Sequence, residues 1–137
     1  MKRIFLILVI IITNACTSKL KNNTDPIAGY WTGEVVGLDA AGEELPSKDI
    51  GILIIPSCAT GKICGKYSED EYCPADIMLM EIDGNEYRFL YETAMGSKHA
   101  CGKGSVISID LELRSDGDLE FRNRTGDPYT GLLEKDP

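Results

Sequence analysis

Histidine is nearly missing from this 137-residue chain; His99 is the only one. The five cysteines, Cys16, Cys58, Cys64, Cys73 and Cys101, include no pair separated by two residues. Structural zinc sites are usually assembled from such pairs together with histidines. A metal centre is therefore not expected, and no cofactor is implied. Basic residues are also few, 14 against 22 acidic ones. A surface with that balance is unsuited to a phosphate backbone, which argues against nucleic acid as a partner. No apolar run approaches the roughly 20 residues that a membrane-spanning helix requires. The longest runs from Ile4 to Ile12. Downstream of it, Asp, Asn, Gly or Pro interrupts every apolar run before it reaches the roughly 10–12 residues of a typical helix.

The parts of an active site are equally scarce. Ser97, Ser105 and Ser108 lack the glycine-flanked turn that exposes a nucleophile. "GSKHACGKG", with Lys98 and Lys103, is glycine-rich but lacks the spacing of a phosphate loop, and His99 reads as a polar loop residue within it. Glu69, Asp70 and Glu71, with Asp76, offer carboxylate oxygens to a hard cation. They lack the regular spacing and glycine of a calcium loop, so a solvated turn is expected. Asp116-Gly117-Asp118 reads as a hairpin tip. Glu34, Asp110, Glu112 and Glu120 are expected to alternate outward along strands, where solvent keeps a carboxylate ionised at its ordinary pKa. Glu81 and Glu92 lie nearest to apolar strand faces. With no acid paired to a base, the chain is expected to bind and not to catalyse.

What is present begins at the N-terminus. "MKRIFLILVIIITNAC" has the charged start, short apolar centre and small residue of a cleavable signal peptide, and it ends in a cysteine. Ala15-Cys16 resembles the bacterial lipoprotein signal, in which the cysteine is acylated and opens the mature chain. Thr13 departs from the usual Leu, Val or Ile at its position. The expected organisation is a signal at residues 1–15, an acylated Cys16 with a polar tether to residue 27, and one domain over 28–137. Cleavage removes Lys2 and Arg3, leaving 12 basic and 22 acidic residues, a net charge of −10. Attachment to the membrane of a bacterial cell envelope, on its extracytoplasmic side, then falls to the acyl chains.

Outside the cytoplasm the other four cysteines read as two disulfides, with three possible pairings. Cys58–Cys64 and Cys73–Cys101 are preferred. The first pair brackets a turn at Thr60-Gly61-Lys62 that would set the cysteines on facing strands. The second closes a long loop, where chain entropy contributes about 3.5 kcal/mol.

The domain itself is a succession of short alternating runs separated by turns. "YWTGEVV" puts Trp31, Gly33 and Val35 on one face. "GILII" stops at Pro56, and "KICGKY" returns beside it. "DIMLMEI" and "EYRFLYE" flank Asp83-Gly84-Asn85, a strong hairpin signal. "SVISIDLELR" puts Ile107, Ile109, Leu111 and Leu113 on one face, "LEFRNR" turns Leu119 and Phe121 inward, and "YTGLLE" follows a turn at Asp127-Pro128. The fold class is all-β, an antiparallel meander of about eight strands closing into a small barrel, with a two-sheet sandwich as the alternative.

Gly29-Tyr30-Trp31, at the head of the first strand, resembles the opening signature of lipocalins and other calycin barrels; their middle signature is not found. A wider resemblance, over about residues 28–135, rests on Tyr67 to Cys73, "YRFLYET", "CGKGSVISIDL", "GDLEF" and "YTGLLEK". These are similar to a small extracytoplasmic bacterial domain, found alone behind signal peptides or at the outer end of membrane kinases. That resemblance implies a barrel-like sensor or binding domain in which Cys73 pairs with Cys101. It implies no activity, and Cys58 and Cys64 are additional to it.

The expected function is that of a small-ligand binding module. An eight-stranded barrel is either filled by side chains or just able to hold one small ligand. Trp31, Met78, Met80, Tyr87, Phe89 and Tyr91 are the candidate ligand-binding residues; the last five mark the region that decides between these, and Trp31 reads more readily as a plug at the barrel base than as a ligand contact. The alternative is a protein-interaction lipoprotein, such as a lysozyme inhibitor, whose acidic surface meets a basic protein partner.

Overall fold

The computed structural model of the chain describes residues 22–69, 74–92 and 106–137. It is an antiparallel barrel of eight strands in sequence order: β1 (Gly29–Leu38), β2 (Glu44–Ile54), β3 (Ile63–Glu69), β4 (Ala75–Asp83), β5 (Glu86–Glu92), β6 (Val106–Leu113), β7 (Leu119–Asn123) and β8 (Tyr129–Lys135). β1 pairs with β8 as well as with β2, for example Trp31 with Lys135 and Val35 with Gly131. That closure decides for the barrel over the sandwich and removes every edge strand.

Among the described residues, the hairpin turns follow their local chemistry. The β4–β5 hairpin turns on Gly84-Asn85 between the paired Asp83 and Glu86, with Gly84 at φ 61°. A left-handed first turn residue matches the twist of the flanking strands. Asp116-Gly117-Asp118 is a hairpin tip, closed by the Arg114 N–H donating to the Asp118 carbonyl at 2.9 Å and the Gly117 N–H donating to the Arg114 carbonyl at 3.1 Å. Cys58 and Cys64 form a disulfide across the β2–β3 turn, which stabilises by roughly 2 kcal/mol through the loop it closes. Cys73 and Cys101 lie outside the described residues, as do Cys16, His99, Ser97, Ser105, Lys98, Lys103, Asp70 and Glu71.

Period-2 alternation sends one side of every strand inward. Ile50, Ile52 and Ile54 from β2, Ile77 and Leu79 from β4, Tyr87, Phe89 and Tyr91 from β5, and Leu119 and Phe121 from β7 are all buried in one cluster. Close backbone approaches at Gly65 and Gly33 depend on glycine. A Cβ at Gly65 would overlap the Leu53 carbonyl oxygen, and one at Gly33 the Leu132 carbonyl oxygen.

The folded unit begins earlier than residue 28. A 3-10 turn, Asp25–Ile27, lies across the end of the barrel where β1 starts, and Thr24 and Ile27 are both fully buried. Trp31 donates from Nε1 to the Ile27 carbonyl at 2.8 Å, and Lys135 Nζ sits 5.6 Å from the centre of its ring. Trp31 is thus buried at the end of the barrel where β1 starts.

Candidate functional site

The opposite end has a different character. β1, β3, β5 and β7 finish there, and β2, β4, β6 and β8 begin there. Continuing the inward alternation past the apolar core brings Lys48 of β2, Tyr67 and Glu69 of β3, Tyr91 of β5, Asn123 of β7 and Tyr129 of β8 to this mouth. Lys48, Tyr91 and Asn123 each lie two residues, one step of the same face, from the core positions Ile50, Phe89 and Phe121; Glu69 lies one such step from Tyr67, and Tyr129 two such steps from Leu133.

The rings form its floor. Tyr67 and Tyr91 stack with centres 4.5 Å apart, and Phe121 continues the stack 6.3 Å from Tyr67. Polar groups stand around them. Tyr67 donates from its hydroxyl to Glu69 Oε2 at 3.2 Å, and Glu69 Oε1 meets Lys48 Nζ at 2.5 Å. Lys48 Nζ also lies 4.5 Å from the centre of the Tyr129 ring, whose hydroxyl donates to the Pro46 carbonyl at 3.4 Å. Asn123 Oδ1 is buried without a hydrogen-bond partner. An unsatisfied buried acceptor costs about 1–3 kcal/mol, and among the described residues Asn123 Oδ1 is the buried side-chain polar atom in that position.

Burial pushes both stacked phenols up. Tyr91 is raised to about 12, mainly by burial, and Tyr67 well beyond that by burial together with the nearby Tyr91 and Glu69. Both therefore remain neutral hydrogen-bonding groups at physiological pH. A folded-state pKa raised above the unfolded value contributes stability that is complete below about pH 10 and is lost as pH climbs through the folded value. Unfolding free energy is expected to fall by up to about 1.4 kcal/mol per pH unit for each phenol between about pH 10 and 12. Urea titrations at pH 9, 10, 11 and 12 measure the slope. Tyr91→Phe should make it shallower; an unchanged slope would mean that Tyr91 titrates normally.

The six expected ligand-site residues are divided by the fold. Tyr91 belongs to the mouth, while Tyr87 and Phe89 lie deeper in the core and Trp31 lies in the closed base. Met78 and Met80 point outward, 39% and 43% exposed, because Ile77 and Leu79 take the inward positions of β4. Lys48, Asn123 and Tyr129 were not among the expected residues, and Glu69 was weighed only as a cation ligand. Continuing the inward parity of each strand by one step would have found them.

The acids also need correction at one position. Asp110 was expected to face solvent, but it is 2% exposed. Arg88 Nε donates to its Oδ1 at 3.0 Å, and Arg124 bonds its Oδ2. The outer face of the sheet buries it beneath two guanidiniums, and Asp110 in turn is the main reason Arg88 is raised above its ordinary value. Glu34 is exposed, and Glu112 and Glu120 are half-buried in ion pairs with Arg122 and Arg114. Glu81 is exposed and pairs with Arg88 at 2.7 Å, and Glu92 is exposed. Glu69 and Asp76 do not converge on a cation: Glu69 is at the mouth, and Asp76 pairs on the outer face with Lys66 at 2.9 Å. Ser108 receives the Thr125 hydroxyl as acceptor for its own N–H at 3.0 Å.

Chemically, the mouth offers an aromatic floor, phenol and ammonium donors, and carboxylate and amide acceptors. That set suits a small molecule with an apolar body and an N–H or O–H group. Compared with known proteins, the chain matches no family model, no curated protein and no solved structure.

Proposed function

We propose that the protein is a lipid-anchored, lipocalin-like binding module of a bacterial cell envelope, held by acyl chains on Cys16, that takes a small ligand at the mouth of its barrel. The observation that carries this reading is the buried, unpartnered Oδ1 of Asn123 at an end floored by Tyr67 and Tyr91. A donor on the ligand would satisfy that oxygen and recover its desolvation cost. The stacked rings would bury the ligand's apolar part, and the Lys48–Glu69 pair would orient a polar rim. Ligand sites of this kind are mostly apolar, with a few convergent polar groups. Further in, the interior is filled by side chains such as Phe89, Ile109 and Leu111, all fully buried, so the ligand belongs at the mouth and not at the base.

Binding, and not catalysis, also suits the acids. Among the described residues the one buried carboxylate is Asp110, and its oxygens are occupied by arginines. Two carboxylates working on a glycoside would face one another across a cleft, one of them with its pKa raised by burial.

Native mass spectrometry of the protein purified from its producing cells tests the reading, with the wild type compared to Asn123→Leu. The wild type should carry a stoichiometric small molecule, and the leucine variant, which fills the place of the orphan acceptor, should carry at least about ten-fold less, the equivalent of one lost hydrogen bond to a buried group. Equal loading of the two proteins would remove Asn123 from the site.

A second reading has its own support. Glu81, Asp83 and Glu86 line a polar depression on the outer face beside Arg88, and the mature chain carries a net charge of −10. Such a surface would steer a basic partner, as in a lysozyme inhibitor. Salt-sensitive binding to lysozyme, with the mouth empty, would favour it.

A further inference from the structure

An apolar patch on the outer face, formed by the β2–β3 hairpin and the adjoining part of β4, has no role in the binding reading. Ile55, Ile63, Met78 and Met80 are 44%, 55%, 39% and 43% exposed. They are contiguous. Ile63 is the cross-strand partner of Met78. Ile55 donates its N–H to the Cys64 carbonyl at 2.9 Å, and Leu79, next to Met80, donates its N–H to the Lys62 carbonyl at 3.0 Å. The Cys58–Cys64 disulfide staples the hairpin that presents the patch. Scattered exposed apolar residues are ordinary, but a contiguous group marks an interaction surface.

The N-terminal segment leaves the barrel at this same place. Thr24 donates from its hydroxyl to the Ile55 carbonyl at 2.5 Å, and its N–H bonds the Cys58 carbonyl at 3.1 Å. The Asp25 carboxylate accepts from the Ser57 N–H at 2.6 Å and from its hydroxyl at 3.0 Å. These bonds hold Ser57 in the left-handed region, at φ 57°. Cys16 lies six residues before Asn22, so the intervening chain can span no more than about 20–22 Å even when fully extended. The headgroup layer through which it must pass takes up roughly 5–8 Å of that.

From this short leash and its attachment point we infer that Ile55, Ile63, Met78 and Met80 form a membrane-docking face, which seats in the headgroup layer of the same bilayer that holds Cys16. The inference rests on the lipid-anchor reading. A domain of net charge −10 gains nothing from anionic headgroups, so apolar insertion drives the contact and Lys62, at the tip of the hairpin, meets lipid phosphate. The acyl chains on Cys16 tether the domain without fixing how it sits on the bilayer; the patch adds a second contact and fixes an orientation. With the end at which β1 starts turned to the bilayer, the end that carries Tyr67, Tyr91 and Asn123 faces away from the membrane.

The lipidated full-length mature protein, reconstituted in phosphatidylcholine–phosphatidylglycerol vesicles containing a diazirine phospholipid, tests this. Photolabel should concentrate on peptides that contain residues 53–66 and 76–80. Ile63→Glu and Met78→Glu should each cut that labelling by at least about ten-fold, as removing a few buried methylenes from lipid would, with co-sedimentation retained through Cys16. Both side chains point outward, so the variants should keep the barrel, checked by far-UV circular dichroism and the intact Cys58–Cys64 bridge. Co-sedimentation with label spread evenly or placed at the mouth overturns the docking face and leaves the anchor standing. Loss of patch labelling to contacts between two copies, seen as a dimer in sedimentation, overturns it also. Failure of the wild type to co-sediment overturns the anchor itself, and the docking face with it.

Discussion

Trp31→Ala is expected to cost about 4 kcal/mol, the range measured when a large aromatic side chain is removed from a packed core. Small domains have only about 5–15 kcal/mol in total, so the variant should approach the edge of folding, with a Tm lowered by roughly 15 °C or more. The reason is local. Trp31 is 2% exposed, closes the base of the barrel and donates to the Ile27 carbonyl at 2.8 Å. Its removal leaves a cavity, frees the Asp25–Ile27 turn and strips a partner from a buried carbonyl. Trp31→Phe should cost much less, about 1–2 kcal/mol, because it keeps most of the packing and loses the hydrogen bond. Urea unfolding followed by far-UV circular dichroism reads both. A cost under about 1 kcal/mol for alanine would mean that something other than Trp31 closes this end.

Cys16→Ser is expected to move the protein from the membrane fraction to the soluble fraction almost entirely. The charged start at Lys2 and Arg3, the short run from Ile4 to Ile12 and Ala15 all lead to that cysteine, and removing the sulfur removes the acylation site. The apolar face around Ile63 would orient an anchored domain and is too small to retain a free one. Cell fractionation followed by immunoblotting decides it. Persistence of the serine variant in membranes, after washing in high salt, would place the anchor elsewhere.

Local pattern made most of the strands legible, because each was a run of one parity bounded by turn residues. Leu119 and Phe121, or Ile109 and Leu111, allowed a single choice of inner face. β4 did not. "DIMLMEI" is apolar at both parities, so Met78 and Met80 competed on equal terms with Ile77 and Leu79 for the interior. Packing resolved it: the β-branched Ile77 and compact Leu79 fill the core at 0% exposure, and the longer thioethers lie outside. Asp110 shows the opposite limit. Its outward parity was readable, but its burial was not, because the cover comes from Arg88, 22 residues earlier, and Arg124, 14 residues later. The segment before residue 28 looked like a tether because it is polar and aperiodic, yet Thr24 is held by the hairpin around Cys58, 34 positions away.

The sequence by itself determined the class of this protein. Alternation and turn chemistry specify antiparallel strands, and the spacing of Cys58 and Cys64 around a turn favours their bridge among the three possible pairings, since each depends on neighbours within a few residues. The tertiary structure alone decided whether those strands closed on themselves, which polar groups met at one end, and which acid was buried. Closure depends on β1 pairing with β8 across nearly the whole domain, and the mouth on Lys48, Glu69, Tyr91, Asn123 and Tyr129 arriving from five different strands. Contacts of such long range have no local signature, because what fixes them is the register and shear of the complete barrel.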